Sequence, residues 1–303
     1  MSGVPELTPA LLRSLPLPSL ENGDKEQRGR VMVVAGSTEM PGAALLAGTA
    51  ALRAGAGKLQ IATSRGVAPW VGVAVPEARV IALPETAGGA IAPEASAAFL
   101  ADAQACAAVV FGPGMIDKVA VRALTADLLK SLDGPRIVLD AAALSDLRAQ
   151  RALLSRQAGH VVITPHFGEM AGMMDITKEE VEGAPLETAR HAAAFLGVVV
   201  ALKGASTWIA TPEGEAWVFR GGCMGLGTSG SGDVLAGIIG GLLARGADPA
   251  RAAMWGVHLH AGAGHRLTKT HGPLGFLARE LMDEIPRVMT ATECDAWKCG
   301  KAV

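Results

Sequence analysis

The sequence predicts an α/β fold: a largely parallel central sheet with helices packed on both faces. Three observations carry this. Short, wholly apolar, β-branched runs such as VMVV at 31–34 recur along the chain, as in strands buried on both faces. Ala- and Leu-rich stretches of helical length lie between them, so strand and helix alternate as parallel sheets require. Finally, 50% of the 303 residues are hydrophobic, yet only 4% are aromatic and none is Tyr. That composition suits small-residue helices lying close to a sheet better than it suits a β-sandwich.

Residues 1–28 read as an arm: a short helix over 9–15, a Pro-rich crossing and the charged loop GDKEQRGR. The core then runs over about 29–286, with a tail at 287–303, and no low-complexity linker or repeat divides it, so a single domain spanning 1–303 is expected. Within it, VMVVAG is a strand ending at Gly36, and 42–54 is an Ala-rich helix closed by Gly55 and Gly57. Strands follow at 58–62 and 79–83. Pro93 opens a helix to about 103. A strand at 107–111 ends in GPG, and 119–132 is helical. Strands at 136–139 and 161–163 end in Asp140 and in Thr164-Pro165-His166. A helix at 185–196 leads to a strand at 198–202 that ends in Lys203. A hairpin over 207–210 and 216–219 turns on PEGE. Three helices close the chain, at 234–245, 249–269 and 275–284.

Glycine-bearing or polar groups thus stand at the ends of several strands, and ligands of open α/β sheets lie beyond those carboxyl ends. The segment GLGTSGSGDVLAGIIGGLLARG at 225–246 adds a sharper signal. Gly225, Gly227, Gly230 and Gly232 permit a tight loop, and the apolar run after them reads as a buried helix. Its unpaired first-turn amides and dipole form a cup for a phosphate or a transition-state oxyanion. Asp233 at its mouth can accept a proton from whatever attacks that anion. Alternatively the loop is an ordinary Gly-rich turn with Asp233 as its N-cap.

Composition excludes several classes. A net charge of −2 offers no field for nucleic acid or anionic membranes. Cys106, Cys223, Cys294 and Cys299 form neither a zinc pattern nor a disulfide framework, which suits a reducing cytoplasm. The N-terminus does not read as a signal peptide, and the apolar run at 234–244 is too short to span a bilayer. A soluble protein is expected. Gly57-Lys58 is followed by Leu59, so no Walker A loop exists there, and the GxGxxG at 225–230 lies far from the first βα unit.

Other candidates carry two readings each. Lys203 could hold nucleotide phosphates or snorkel to solvent. His166 and Glu169 lie just past a strand, where Pro165 limits loop freedom, but a lone His is more often structural. Asp140 could bind a metal or a substrate hydroxyl, or cap the segment after it. His258, His260 and His265 resemble a metal cluster, although i and i+2 residues do not share a helix face.

Six segments occur here in one order: AGSTEMPGAALLAGTAALRAGAGKLQIAT, FGPGM, IVLDAAAL, ITPHFGE, LKGAST and TSGSGDVLAGIIGGLL. In these the chain resembles the ADP/ATP-dependent NAD(P)H-hydrate dehydratases of the ribokinase-like superfamily, in their stand-alone bacterial form, from about Gly29 to Pro286. The resemblance implies a three-layer ribokinase-like fold. It implies repair of hydrated NADH or NADPH (the S epimer): phosphorylation of the C6 hydroxyl by ADP (or ATP) with Mg²⁺, then loss of phosphate, leaving AMP from ADP. It casts Asp233 as general base and Gly230, Ser231 and Gly232 as an anion hole. Lys203, Gly204, Ala205, Ser206, Thr207 and Gly232 would hold the nucleotide. Ala44, Gly114, His166 and Asp233 would line the substrate site, with Glu169 supporting the loop or the metal, whose ligands are otherwise unassigned. It further implies a cytoplasmic homo-oligomer, often a tetramer, with no nucleic-acid or membrane partner.

Three departures from the family pattern stand out. Gly221-Gly222-Cys223 replaces a usual TGN, Ala142 replaces the second Asp of DADAL, and Phe167 replaces the second Pro of PHPGE, freeing backbone that proline would restrain. Two rivals share the same features: a ribokinase-like vitamin or sugar kinase, and a non-catalytic nucleotide sensor.

Overall fold

The computed structural model describes residues 3–19 and 24–294; Cys299 and the rest of 295–303 lie outside the described residues. In chain order the elements are α1 (Pro9–Ser14), β1 (Arg30–Val34), α2 (Gly42–Arg53), β2 (Lys58–Ser64), α3 (Ala68–Ala74), β3 (Ala78–Leu83), α4 (Ser96–Gln104), β4 (Ala108–Phe111), α5 (Lys118–Ser131), β5 (Arg136–Leu139), α6 (Arg151–Leu154), β6 (Val161–Ile163), α7 (Phe167–Met174), α8 (Lys178–Gly183) and α9 (Pro185–Leu196). They continue with β7 (Val199–Leu202), β8 (Ser206–Ala210), β9 (Ala216–Arg220), α10 (Ser231–Ala244), α11 (Pro249–His271) and α12 (Ala278–Glu293).

The strands form one sheet in the order β3-β2-β1-β4-β5-β6-β7-β8-β9. β1 to β7 pair in parallel, and the β8–β9 hairpin closes one edge antiparallel to β7. Strands β4, β6 and β7 are buried along their whole length, which explains their continuous apolar runs. One core lies on the face covered by α2, α10, α11 and α12, and a second lies on the face covered by α4, α5, α7 and α9. These are the three layers the alternation predicts.

The order reverses between β1 and β4, the place where open α/β sheets commonly bind ligands. Gly36 N donates to Pro113 O at 2.8 Å and ties the two loops there.

Several boundaries differ from expectation. α3, α7 and α8 are helices the sequence reading leaves as loop. α12 begins at Ala278 and runs through Pro286 to Glu293, so residues 287–293 are not tail. Ile285 and Val288 are buried there, and this packing outweighs the proline's lost hydrogen bond. The arm is anchored as well: Leu7, Leu12 and Leu17 belong to the core.

Candidate active site

Asp140, Thr164 and Lys203 follow three adjacent parallel strands, so their side chains meet at one edge. Thr164 Oγ1 donates to Asp140 Oδ1 at 2.7 Å, and Lys203 Nζ donates to the same oxygen at 3.1 Å. Glu169 Oε2 lies 3.9 Å from Lys203 Nζ. Lys203 therefore turns inward rather than snorkelling. Burial pulls its pKa down, but Asp140, Glu169 and Asp233 carry it above the ordinary lysine value. Asp140 makes no capping bond and instead serves as the lysine's buried counter-ion. Ala141 beside it holds a positive φ of 51°, a conformation costly for a residue with a Cβ.

His166 caps α7 reciprocally with Glu169: His166 Nδ1 accepts from Glu169 N at 3.1 Å, and Glu169 Oε2 accepts from His166 N at 2.8 Å. Its ring also borders the cavity described below. Phe167, expected to loosen the backbone, is instead the first residue of α7, so helical bonds hold it. Its ring lies over Gly204, where an added Cβ would come within 2.6 Å of Phe167 Cζ.

The Gly-rich loop enters α10 through Gly230 at φ 87°. Ser231 N donates to Thr228 O at 3.2 Å and Val234 N to Gly230 O at 3.1 Å. Among the described residues, the amides of Gly230, Gly232 and Asp233 have no acceptor. The cup is thus present with one correction: the Ser231 amide is spent inside the turn. A Cβ placed on Gly232 would lie 3.4 Å from Lys203 Nζ and 4.0 Å from Asp140 Oδ2, so the first turn of α10 opens onto the charged group.

Asp233 follows at the same turn, half-buried rather than packed in hydrocarbon. Burial, then the Asp140 charge, push its carboxyl up to about 6, with Lys203 opposing and Glu169 adding to the rise. A carboxylate near that value can accept a proton and return it.

Beside this turn lies a cavity of about 570 Å³, within the range of small-molecule sites. Lys203, Gly204, Ala205, Thr207, Ser231 and Gly232 line its polar side. Ser206, the first residue of β8, is not among the residues that line it. Asp233 lies past Gly232, its Oδ2 3.9 Å from the position of a Cβ on Gly230, so the α10 turn stands between the cavity and the acid. Ala44 and Gly114 are buried and present no wall to a ligand directly. They permit close approach instead, since a Cβ on Gly114 would meet Ala43 Cβ at 2.5 Å and Met40 O at 2.8 Å.

The apolar side of the cavity escaped sequence reasoning except at Cys223, where the departure from the family pattern borders it. Phe219, Cys223, Leu226, Leu235 and Val257 come from β9, α10, α11 and the turn at 223–227. Ordinary core residues carry no local signal of facing a cavity. His260 was visible only within an apparent His cluster. The structure separates those histidines: His260 Nε2 lies 2.9 Å from Ser231 Oγ, while His258 Nε2 lies 2.8 Å from Thr292 Oγ1. Burial pushes both imidazoles down to about 4.

Comparison with known proteins adds an independent line. The family model described as NAD(P)H-hydrate dehydratase matches residues 31–287. The chain is 49% identical over 285 residues to the ADP-dependent (S)-NAD(P)H-hydrate dehydratase of Xanthomonas campestris, covering 93% of this chain and 95% of that one. It is 38% identical over 288 residues to the bifunctional NAD(P)H-hydrate repair enzyme of Moorella thermoacetica, covering 95% of this chain but 54% of that longer protein. Among solved structures, the ADP/ATP-dependent NAD(P)H-hydrate dehydratase from Bacillus subtilis, co-crystallized with ATP/Mg²⁺, matches with a TM-score of 0.81. That match has 32% identity and covers 97% of this chain and 100% of that one.

Proposed function

Because the chain belongs to the NAD(P)H-hydrate dehydratase family, we propose that it restores NADH and NADPH from their (S)-hydrates at the expense of ADP or ATP. The observation that carries this reading is Asp233 standing beside unpaired α10 amides, on the turn whose other side lines the 570 Å³ cavity. The nucleotide's phosphates lie along Lys203, Gly204, Ala205 and Thr207, with their reacting end at Gly232. The hydrated ring sits near Asp233, on the far side of the turn and against the wall that Ala44 and Gly114 support, and extends toward His166 at the cavity border.

Asp233 takes the proton of the C6 hydroxyl as that oxygen attacks the terminal phosphorus. The bond to AMP breaks when ADP is the donor. The amides of Gly232 and Asp233, the α10 dipole and Lys203 stabilise charge on the migrating phosphoryl group. Phosphate then leaves C6, and loss of a proton from the adjacent carbon restores the ring double bond.

Mg²⁺ fits this site as a guest of the nucleotide. Among the described residues no cluster of three or more His, Cys, Asp or Glu could cage a metal. Magnesium commonly takes one or two carboxylates plus phosphates, and the carboxylates of Asp140 and Glu169 are the hard donors beside Lys203. Bound there, it would neutralise phosphate charge.

The same reading has the chain act as a single ribokinase-like domain in the cytoplasm, as a homo-oligomer and possessing tetramer geometry. Trp70 and Val73 on α3, 73% and 80% exposed, support self-association. No helix among the described residues is long and apolar enough to cross a membrane.

Product analysis tests the reading. Incubation with the (S)-hydrate of NADH, ADP and Mg²⁺ should return dihydronicotinamide absorbance, with AMP and phosphate in equal amounts. A stable phosphorylated hydrate accumulating without that absorbance would instead establish a small-molecule kinase.

A further inference from the structure

The loop that grips phosphate in this reading has glycines at 225, 227, 230 and 232 and is held mainly by backbone packing. A Cβ on Gly225 would come 2.2 Å from Phe276 and one on Gly230 2.5 Å from Leu46, so side-chain anchors are few. Thr228 and Ser229 hydroxyls make no hydrogen bond among the described residues. Ser231 is different: its Oγ lies 2.9 Å from His260 Nε2, and the two residues are 4% and 9% exposed. Both border the cavity. Ser231 lies between Gly230 and Gly232, so holding its side chain restrains the rotation of the turn that carries the free amides.

His260 is well placed to do this. It lies in the middle of α11, which packs so closely on α10 that a Cβ on Gly256 would come 2.5 Å from Ile239 Cγ1. The imidazole is therefore delivered from a rigid support. A neutral ring offers one donor and one acceptor, matching a hydroxyl that can serve as either. Apolar side chains of similar size would fill the space without directing the turn.

We propose that His260 is a positioning residue for phosphoryl transfer: through Ser231 Oγ it fixes the first turn of α10 and aims the amides of Gly232 and Asp233 at the phosphate. The inference rests on the functional reading above and adds a residue that it does not use.

The test is a double-mutant cycle on the full chain with His260→Leu, Ser231→Ala, the pair, and His260→Gln, whose amide nitrogen can reach the place of Nε2. Each of the first two should lower kcat about tenfold or more while KM for ADP stays within about threefold. The double variant should lose no more than either single change, because only one bond is broken. His260→Gln should recover most of the rate. Losses that multiply, a Gln variant as poor as Leu, or a loss confined to KM would each overturn the proposal. If His260→Leu does not fold, Ser231→Ala decides alone, and an unchanged kcat rejects the role. Should the wild-type protein fail to dehydrate the substrate, the functional reading falls separately. The coupling is then read by titration with AMP and orthovanadate, which together stand in for the group leaving ADP. The variants should lose about tenfold of the affinity gained from vanadate and keep that for AMP alone; an equal gain in variant and wild type overturns it.

Discussion

A carboxyl whose pKa is about 6 changes charge within the range in which enzymes are assayed. Asp233 must be ionised to accept a proton, so kcat/KM should fall about tenfold per pH unit below about 6 and level off above it. A profile whose acid limb lies near 4 would remove Asp233 from that role. The same shift bears on stability. The folded-state value of about 6 exceeds the ordinary 3.8, so the folded protein binds this proton more tightly than the unfolded chain. Stability from the neutral form is complete below 3.8 and is lost as pH rises through about 6. Asp233→Asn should therefore abolish turnover yet raise Tm at neutral pH, with the gain shrinking toward acid pH; scanning calorimetry at the two pH values measures it. The choice of Asp233 as the proposed base comes from its place after GSG. Its pKa was not legible there, because burial and the Asp140 charge come from distant chain.

Helix packing explains what at first reads only as an apolar run with three glycines. A Cβ on Gly237 would meet Ala47 O at 2.2 Å, and one on Gly241 would meet Ala51 O at 2.3 Å. α10 thus lies backbone to backbone on α2, and a Cβ on Gly240 would come 2.2 Å from Val110 Cγ2 of β4. Gly237→Ala must part the two helices, an overpacking that costs about 1–3 kcal/mol. At about 2–4 °C per kcal/mol, Tm should drop by several degrees, and turnover should fall with it as the first turn moves. An unchanged Tm would show that the helices do not meet there. Element boundaries were less legible than element types. Pro286 reads as a stop, yet α12 continues because buried Ile285 and Val288 and the Thr292–His258 bond hold its last turns.

At the scale of the molecule, the parallel strands bring Asp140, Thr164 and Lys203 side by side, and the first turn of α10 meets them there. Among the described residues no group of three or more His, Cys, Asp or Glu could cage a metal. Without nucleotide, chelation should leave Tm unchanged, whereas turnover should vanish with chelator and return with excess Mg²⁺. A drop in Tm of the nucleotide-free protein would reveal a resident metal.

The alternation of apolar strands and helices, the six ordered segments and the Gly-rich loop ending at Asp233 determined fold class and family by themselves, since each is a local pattern written in consecutive residues. Only the tertiary structure decided that Lys203 pairs with Asp140 from 63 positions away, that His260 holds Ser231, and that Ala44 and Gly114 lie behind the wall. It also leaves Ser206 off the cavity lining and turns the Ser231 amide toward Thr228 O. Such pairings depend on which strands become neighbours and which side chains lose water, and both are set by the packing of segments far apart in the chain.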